Sequence, residues 1–320
     1  MLALAMLFLN ACGGGRHEPT EIYVLVVTNS KIAYWQEAAA GLSAASRELG
    51  VRTEMAGPDT YDPKAEKEEF LRVMARKPAP AGILVSAADP EIMRDAIDSA
   101  VGAGIPVVAI DSDSPKSKRL LFIGTNNYQA GQMGGEVLLQ ELKGKATLAV
   151  YTITGQENLN ERLEGYKRVL ARRPEIKILP VIDVRGDPAR AFDATKVFID
   201  KKVVPDAFVC LEALSCPEVA DVLDRGHIQG KTIVAMDANK NTLDWIEKGM
   251  IRATIAQKPY TMAYYGVRVL DDFHHAKPAN LDRGSAQGSR ASLPVFIDTG
   301  ATLVDKSNVK SFLAPPETPR

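Results

Sequence analysis

Two stretches of this chain repeat one construction. Gly104 to Asp113, GIPVVAIDSD, is an apolar run rich in β-branched residues that stops abruptly at carboxylates, and Gly230 to Asp237, GKTIVAMD, stops at an acid in the same place. Runs of this kind read as buried strands that deliver acids to their C-terminal edge. Each follows an amphipathic stretch closed by a glycine-bearing turn. Copies this far apart cannot be a short solenoid repeat, so the expectation is two similar lobes, each presenting a carboxylate (Asp111, Asp237) at the edge of its sheet. Ligands of open α/β sheets bind at that edge, which makes a cleft between the lobes the default site.

The length of 320 residues suits two α/β domains of ordinary size. Lys and Arg total 39 against 40 for Asp and Glu, so the basic excess that a nucleic-acid surface needs is missing. Leu2 to Leu9, LALAMLFL, is too short to span a bilayer but suits the centre of a secretory signal. It ends at Leu9-Asn10-Ala11-Cys12, which resembles a bacterial lipoprotein signal whose cysteine becomes the lipid-modified first residue. On that reading residues 1–12 carry the signal and the acylated Cys12, 13–21 form a flexible leash, and the protein is held at the cell-envelope surface or in the periplasm. An ordinary hydrophobic N-terminus with an ordinary cysteine is the other reading. Cys210 and Cys216, in FVCLEALSC, are either a small-loop disulfide of an exported protein or a buried strand residue and a helix-start residue; spacing alone does not decide.

Along the chain, strands expected at Ile22 to Val27, Thr53 to Ala56, Gly82 to Val85, the Gly104 stretch and Leu120 to Ile123 alternate with helices at Tyr34 to Leu49, Lys64 to Arg76 and after Asp89-Pro90. After Asn126-Asn127 the same grammar restarts, with strands expected at Ala146 to Tyr151, Ile176 to Asp183, Ala207 to Cys210, Thr232 to Met236 and Arg252 to Ala256. Strict alternation favours two doubly wound parallel-sheet lobes. Tyr260 to His275 reads as a helix, Ala276 to Ser292 as an extended surface segment, and Leu293 to Ile297 and Ala301 to Val304 as closing strands.

These residues resemble the type I periplasmic sugar-binding proteins of ABC importers, in the ribose-binding branch, from about Ile22 to about Phe312. VVTNSKIAYWQEAAAGLSAASRELG is similar to that family's first strand, aromatic pair and first helix. IPVVAIDSD and TIVAMDANK are similar to the strands that end in sugar-binding acids, FIGTNNYQAGQMGGEVL and ATIAQKPYTMAYYGV to the crossovers between lobes, and NERLEGYKRVL to a helix start bearing a ligand-binding arginine. The resemblance implies a three-segment hinge. Residues 22–125 plus 258–292 would form the N-terminal lobe, 126–257 plus 293–312 the C-terminal lobe, and 313–320 a tail.

It also implies a site. Tyr34 and Trp35 hold the positions of the ligand-stacking rings, although either could be the first residue of the helix's core face. Asp111 and Asp237 would each accept hydroxyl hydrogen bonds, and helix capping is a compatible role for both. Arg162 falls on the family's arginine and Gln257 on its cleft glutamine, while Thr28, Ser86, Ser112 and Thr125 fall on strand ends facing the cleft. Positions that carry amides in ribose binders are Ile32 and Leu211 here, and an arginine after the first acid is Ser112; Glu212 could restore one polar contact. Ribose is therefore not expected to be the best ligand.

The implied function is a membrane-tethered monomer that captures a monosaccharide by hinge closure and hands it to an ABC permease, without a cofactor. A sugar-sensing subunit of a membrane receptor is the alternative. Catalysis is not expected: His17, His227, His274 and His275 are the only histidines, His17 lies in the leash, and adjacent His274 and His275 cannot share a helix face as metal ligands would. Gly131, Gly134 and Gly135 do not make a dinucleotide fingerprint, and Gly230-Lys231-Thr232 enters a strand, unlike a phosphate loop.

Overall fold

The computed structural model describes residues 17–276 and 294–313. The expected signal, the lipidation site Cys12 and nearly all of the 276–292 segment lie outside them.

The first part of the chain runs β1 (Ile22–Val26), α1 (Ala33–Leu49), β2 (Arg52–Ala56), α2 (Pro63–Met74), β3 (Gly82–Val85), α3 (Pro90–Gly102), β4 (Val107–Ile110) and β5 (Phe122–Gly124). It continues with α4 (Asn127–Glu141), β6 (Ala146–Thr152), α5 (Glu157–Leu170), β7 (Ile176–Ile178), β8 (Ile182–Asp183), α6 (Pro188–Asp200), β9 (Ala207–Cys210), α7 (Ser215–Arg225), β10 (Thr232–Met236), α8 (Lys240–Lys248) and β11 (Ala253–Ala256). Last come α9 (Pro259–His275), β12 (Phe296–Asp298), β13 (Thr302–Asp305) and α10 (Val309–Leu313).

Two sheets result, ordered β12-β5-β4-β3-β1-β2 and β13-β11-β10-β9-β6-β7. All pairings are parallel except β11 with β13. The central strands β1, β3, β4, β9 and β11 are buried at every residue, which is why they read as continuous apolar runs without alternation. Three helices start with Asp-Pro, and Asp62, Asp89 and Asp187 each accept backbone N–H groups of the first turn while the proline occupies the position that needs no donor.

The second lobe explains the glycines that fit no nucleotide motif. A Cβ on Gly131 would sit 2.0 Å from the Arg162 carbonyl, and one on Gly165 would sit 2.2 Å from the Tyr128 carbonyl. Helices α4 and α5 therefore touch backbone to backbone, and one of the touching carbonyls is that of Arg162. Gly41 serves α1 and α9 of the first lobe in the same way, 2.2 Å from the Tyr260 carbonyl.

Two expectations need correction. The closing segment does not belong wholly to the second lobe. β12 pairs in parallel with β5 and so extends the first sheet, with Phe296 stacked on Phe122 at 5.3 Å, and only β13 joins the second sheet. The reason is the exposed ladder of β5, whose Phe122 N–H and Gly124 carbonyl bond Val295 and Thr299. The third crossover thus falls between Asp298 and Thr302. Second, Ile176 to Asp183 is two short strands, because Pro180 between them has no N–H to give the ladder. Cys210 and Cys216 are joined, with Cα atoms 5.6 Å apart, and pin the loop between β9 and α7. Among the described residues no helix is long and apolar enough to cross a membrane.

Candidate functional site

The two acids are placed by the same local geometry. The Asp111 N–H donates to Ile123 on β5 (3.1 Å) and the Asp237 N–H to Ile255 on β11 (2.9 Å), so each acid is held just past the end of its strand by the neighbouring strand. Both then adopt left-handed backbone conformations, φ 62° and φ 68°, which Asp tolerates better than most residues. The turn aims each side chain across the sheet edge into one cavity between the lobes. Asn29, at the end of β1, does the same with φ 56°.

Asp111 Oδ1 accepts from the Tyr34 hydroxyl at 2.7 Å and Oδ2 from the Ser86 hydroxyl at 3.0 Å. Asp237 Oδ1 accepts from Gln257 Nε2 at 3.0 Å. Arg162, 2 % exposed, donates Nε to Asn127 Oδ1 (2.9 Å), Nη1 to the Leu211 carbonyl (2.7 Å) and Nη2 to Gln257 Oε1 (2.8 Å). A guanidinium has five N–H donors, so three fix its plane and one on each Nη remains to face a ligand. Gln257 links the Arg162 guanidinium to Asp237, coupling the second crossover to the second-lobe acid. Glu212 accepts from the N–H groups of Leu214 (2.6 Å) and Ser215 (3.0 Å) and so caps α7 from the cavity wall.

Thr28, Tyr34, Trp35, Ser86, Asp111, Arg162, Glu212, Asp237 and Gln257 all line this cavity, as does Ile32. Trp35 is also packed in the first-lobe core, with its ring edge-on to Tyr34 at 4.8 Å. Thr28 accepts from Asp62 N–H at 2.8 Å and thereby ties the β1 edge to the α2 cap. Three expected residues are not on the cavity. Ser112 is buried away from the lining, and its carbonyl accepts from the Ala87 N–H at 3.0 Å. Thr125 faces a separate cavity beside Asp113, Arg119 and Phe296. Leu211 packs in the second-lobe core and offers only its carbonyl, to Arg162.

Several lining residues were not foreseen: Asn29, Tyr61, Ala88, Ile153, Gln156, Asn158, Leu159, Ala213 and Leu214. Asn158 was findable, since it lies four residues before Arg162 on α5 and shares its face. Tyr61 was not, because it follows β2 in a loop and reaches the other lobe. It packs against the second-lobe core beside Gly186, where a Cβ would come within 2.4 Å of it, while its hydroxyl donates back to the Ala88 carbonyl of the first lobe at 3.5 Å. Tyr61 thus brings the lobes into contact beside the cavity, which has about 80 Å³ of room. On a scale where one water needs roughly 10–15 Å³, that is space for a handful of waters.

Burial pushes the Asp111, Glu212 and Asp237 carboxyls upward, Asp237 to about 7, and the Arg162 charge offsets only part of this. Hydroxyl donors from a ligand favour the ionised form. Affinity for a polyol should consequently rise by up to about tenfold between pH 6 and pH 8, with proton release on binding. The empty protein has the opposite slope. A carboxyl raised in the folded state contributes stability fully present below the ordinary carboxylate range and lost as pH rises through about 7. Titration calorimetry at both pH values in two buffers of different ionisation enthalpy checks this; equal affinities with no proton release would contradict it.

The sequence matches the Periplasmic binding protein domain family over residues 22–277. It is similar in structure to AraP, an arabinose-binding protein from Geobacillus stearothermophilus, with TM-score 0.74 and 32% identity over 92% of this chain and 100% of that one. A solute-binding protein of an ABC transporter from Burkholderia graminis, solved in complex with D-arabinose, superposes with TM-score 0.82 at 28% identity, covering 92% and 99% of the two chains. The ribose import binding protein RbsB of Bacillus subtilis is 24% identical over 61% of this chain, and the match spans only 63% of that relative's length.

Proposed function

This chain belongs to the periplasmic binding protein domain family, as a type I sugar-binding member, and from that premise we propose that it is the substrate-binding lipoprotein of an ABC-type sugar importer. It captures a monosaccharide between its lobes and delivers it to permease subunits outside the cytoplasm. The observation that carries the reading is the convergence of Asp111 from one lobe and Asp237 from the other on a cavity that also receives the fixed Arg162 guanidinium. Carboxylates accept from hydroxyls, a guanidinium donates to them, and Tyr34 and Trp35 offer ring surface to C–H faces.

A ligand that bridges the two acids binds the closed arrangement better than an open one, and that difference supplies the closure energy. The three crossovers, at 124–127, 256–259 and 298–302, form the hinge. Gln257 sits on the second of them, so ligand contact and hinge position share a residue.

Anchoring is the part of the reading that a single substitution tests. With Cys12 acylated, the protein should sediment with membranes, and Cys12→Ser should move it to the soluble fraction with its sugar affinity and melting temperature unchanged. Membrane association that persists in Cys12→Ser would remove the lipoprotein anchor.

A further inference from the structure

Far from the sugar cavity, where β1 begins and α9 ends, the fold gathers His17, Glu21, Asp271 and His275, with one ligating atom of each within 4.8 Å of all the others. His17 Nε2 lies 2.9 Å from Asp271 Oδ1, and His275 Nε2 lies 3.1 Å from Glu21 Oε1 and 3.4 Å from Asp271 Oδ1. Four ligands around a tetrahedral Zn²⁺ at bond lengths of 2.0–2.1 Å are separated from one another by roughly 3.3 Å. Three of the six ligand pairs already stand near that spacing, and no pair is more than 4.8 Å apart. Glu21 is 5 % exposed and Asp271 1 %, so both carboxylates are out of water, and buried carboxylates call for cationic partners. Behind them the fully buried Tyr23 hydroxyl lies 2.7 Å from Glu21 Oε1 and 3.1 Å from Asp271 Oδ1, the position of an outer donor that orients ligating carboxylates. Asp271 and His275 are four apart on one helix face, a spacing that presents two ligands together.

We propose that His17, Glu21, Asp271 and His275 form a closed structural site for a divalent transition metal, Zn²⁺ foremost. Two imidazoles with two carboxylates suit zinc and disfavour calcium or magnesium, which take oxygen ligands. Four protein ligands leave no open position, so the site is structural rather than catalytic. Its effect is to staple residue 17 to α9 across a sequence separation of 254, fixing where the chain N-terminal to the first lobe leaves it. No local sequence pattern marks this site, because its ligands come from both ends of the first lobe and the useful pair on α9 is Asp271 with His275, not the adjacent His274 and His275. Metal binding here is independent of what the sugar cavity holds.

The test uses the full chain without a polyhistidine tag, stripped with chelator and titrated with Zn²⁺. One equivalent should bind with a dissociation constant at or below the micromolar range and raise the melting temperature, leaving sugar affinity unchanged. Co²⁺ should substitute and give the visible bands of a tetrahedral nitrogen and oxygen site. His17→Ala, ahead of the first strand, should fold normally yet weaken Zn²⁺ binding at least tenfold, and His275→Ala should do the same. Failure to bind one equivalent, or binding that survives His17→Ala undiminished, overturns the site and leaves two histidine–carboxylate pairs. Should His275→Ala fail to fold, the His17→Ala result alone decides.

Discussion

Replacing Arg162 with alanine is expected to cost the empty protein about 3–5 kcal/mol and to weaken sugar binding more than a hundredfold. The stability loss has two sources. The Leu211 carbonyl, Asn127 Oδ1 and Gln257 Oε1 each lose a buried donor, at about 1–3 kcal/mol for a group left unsatisfied. The guanidinium is also the charge that holds down the Asp111, Glu212 and Asp237 carboxyls, which are already raised by burial. Without it they shift further toward the neutral form, which offsets part of the penalty and keeps the sum near that of a broken buried ion pair. For lobes of this size the melting temperature should fall by about 10 °C. Affinity falls through a second route: neutral carboxyls accept hydroxyl hydrogen bonds less strongly, and the Nη donors are gone. Arg162→Lys should recover little, since one ammonium cannot reach three acceptors spread around a planar fork. Calorimetric melting and sugar titration of both variants measure this. A melting temperature within about 2 °C of wild type with affinity within threefold would mean that Arg162 is a bystander.

Ribose should bind at least tenfold more weakly than the best monosaccharide, a gap of about 1.4 kcal/mol. The structure narrows the basis for this. Of the three departures from ribose binders, Ser112 and Leu211 do not face the ligand, whereas Ile32 does, alongside Ile153, Leu159, Ala213 and Leu214. These residues, drawn from both lobes, give the cavity wall an aliphatic portion. A ribose hydroxyl directed at it would lose its water without gaining a partner, while a methylene or methyl group there would be matched. The preferred ligand should thus be a monosaccharide whose deoxy, methyl or unsubstituted ring position meets Ile32. Ile32→Asn should move the preference toward ribose. A panel of pentoses, hexoses and deoxysugars in which ribose binds tightest to the wild type would refute the argument.

The paired strands ending in Asp111 and Asp237 were legible because full burial writes itself as an unbroken apolar run, and the acid is conspicuous at its end. Asp111 and Asp237 could be located from strand ends, whereas Arg162 and Gln257 were implied by the family resemblance of their motifs; all four line the cavity. Ser112, next to Asp111, is buried and absent from the cavity lining, a placement that residue types at a strand end do not reveal. Thr125 lies beyond the end of β5, where the chain already turns toward α4 and the second cavity. The fate of β12 was hidden because three residues, Phe296 to Asp298, suit the edge of either sheet, and only the unsatisfied ladder of β5 chooses. Tyr61 and the cluster around His17 depend on contacts across the whole chain, which no local pattern encodes.

The central claim is that one monosaccharide bridges Asp111 and Asp237 as the lobes close, and titration calorimetry of wild type, Asp111→Ala and Asp237→Ala tests it most directly. Wild type should bind one monosaccharide per chain. Asp111→Ala should lose about 2–4 kcal/mol of affinity by leaving ligand hydroxyls unpaired in a desolvated cleft, and Asp237→Ala a comparable amount although its side chain comes from the other lobe. No binding by any monosaccharide, or a sugar bound equally well by all three proteins, would contradict the account.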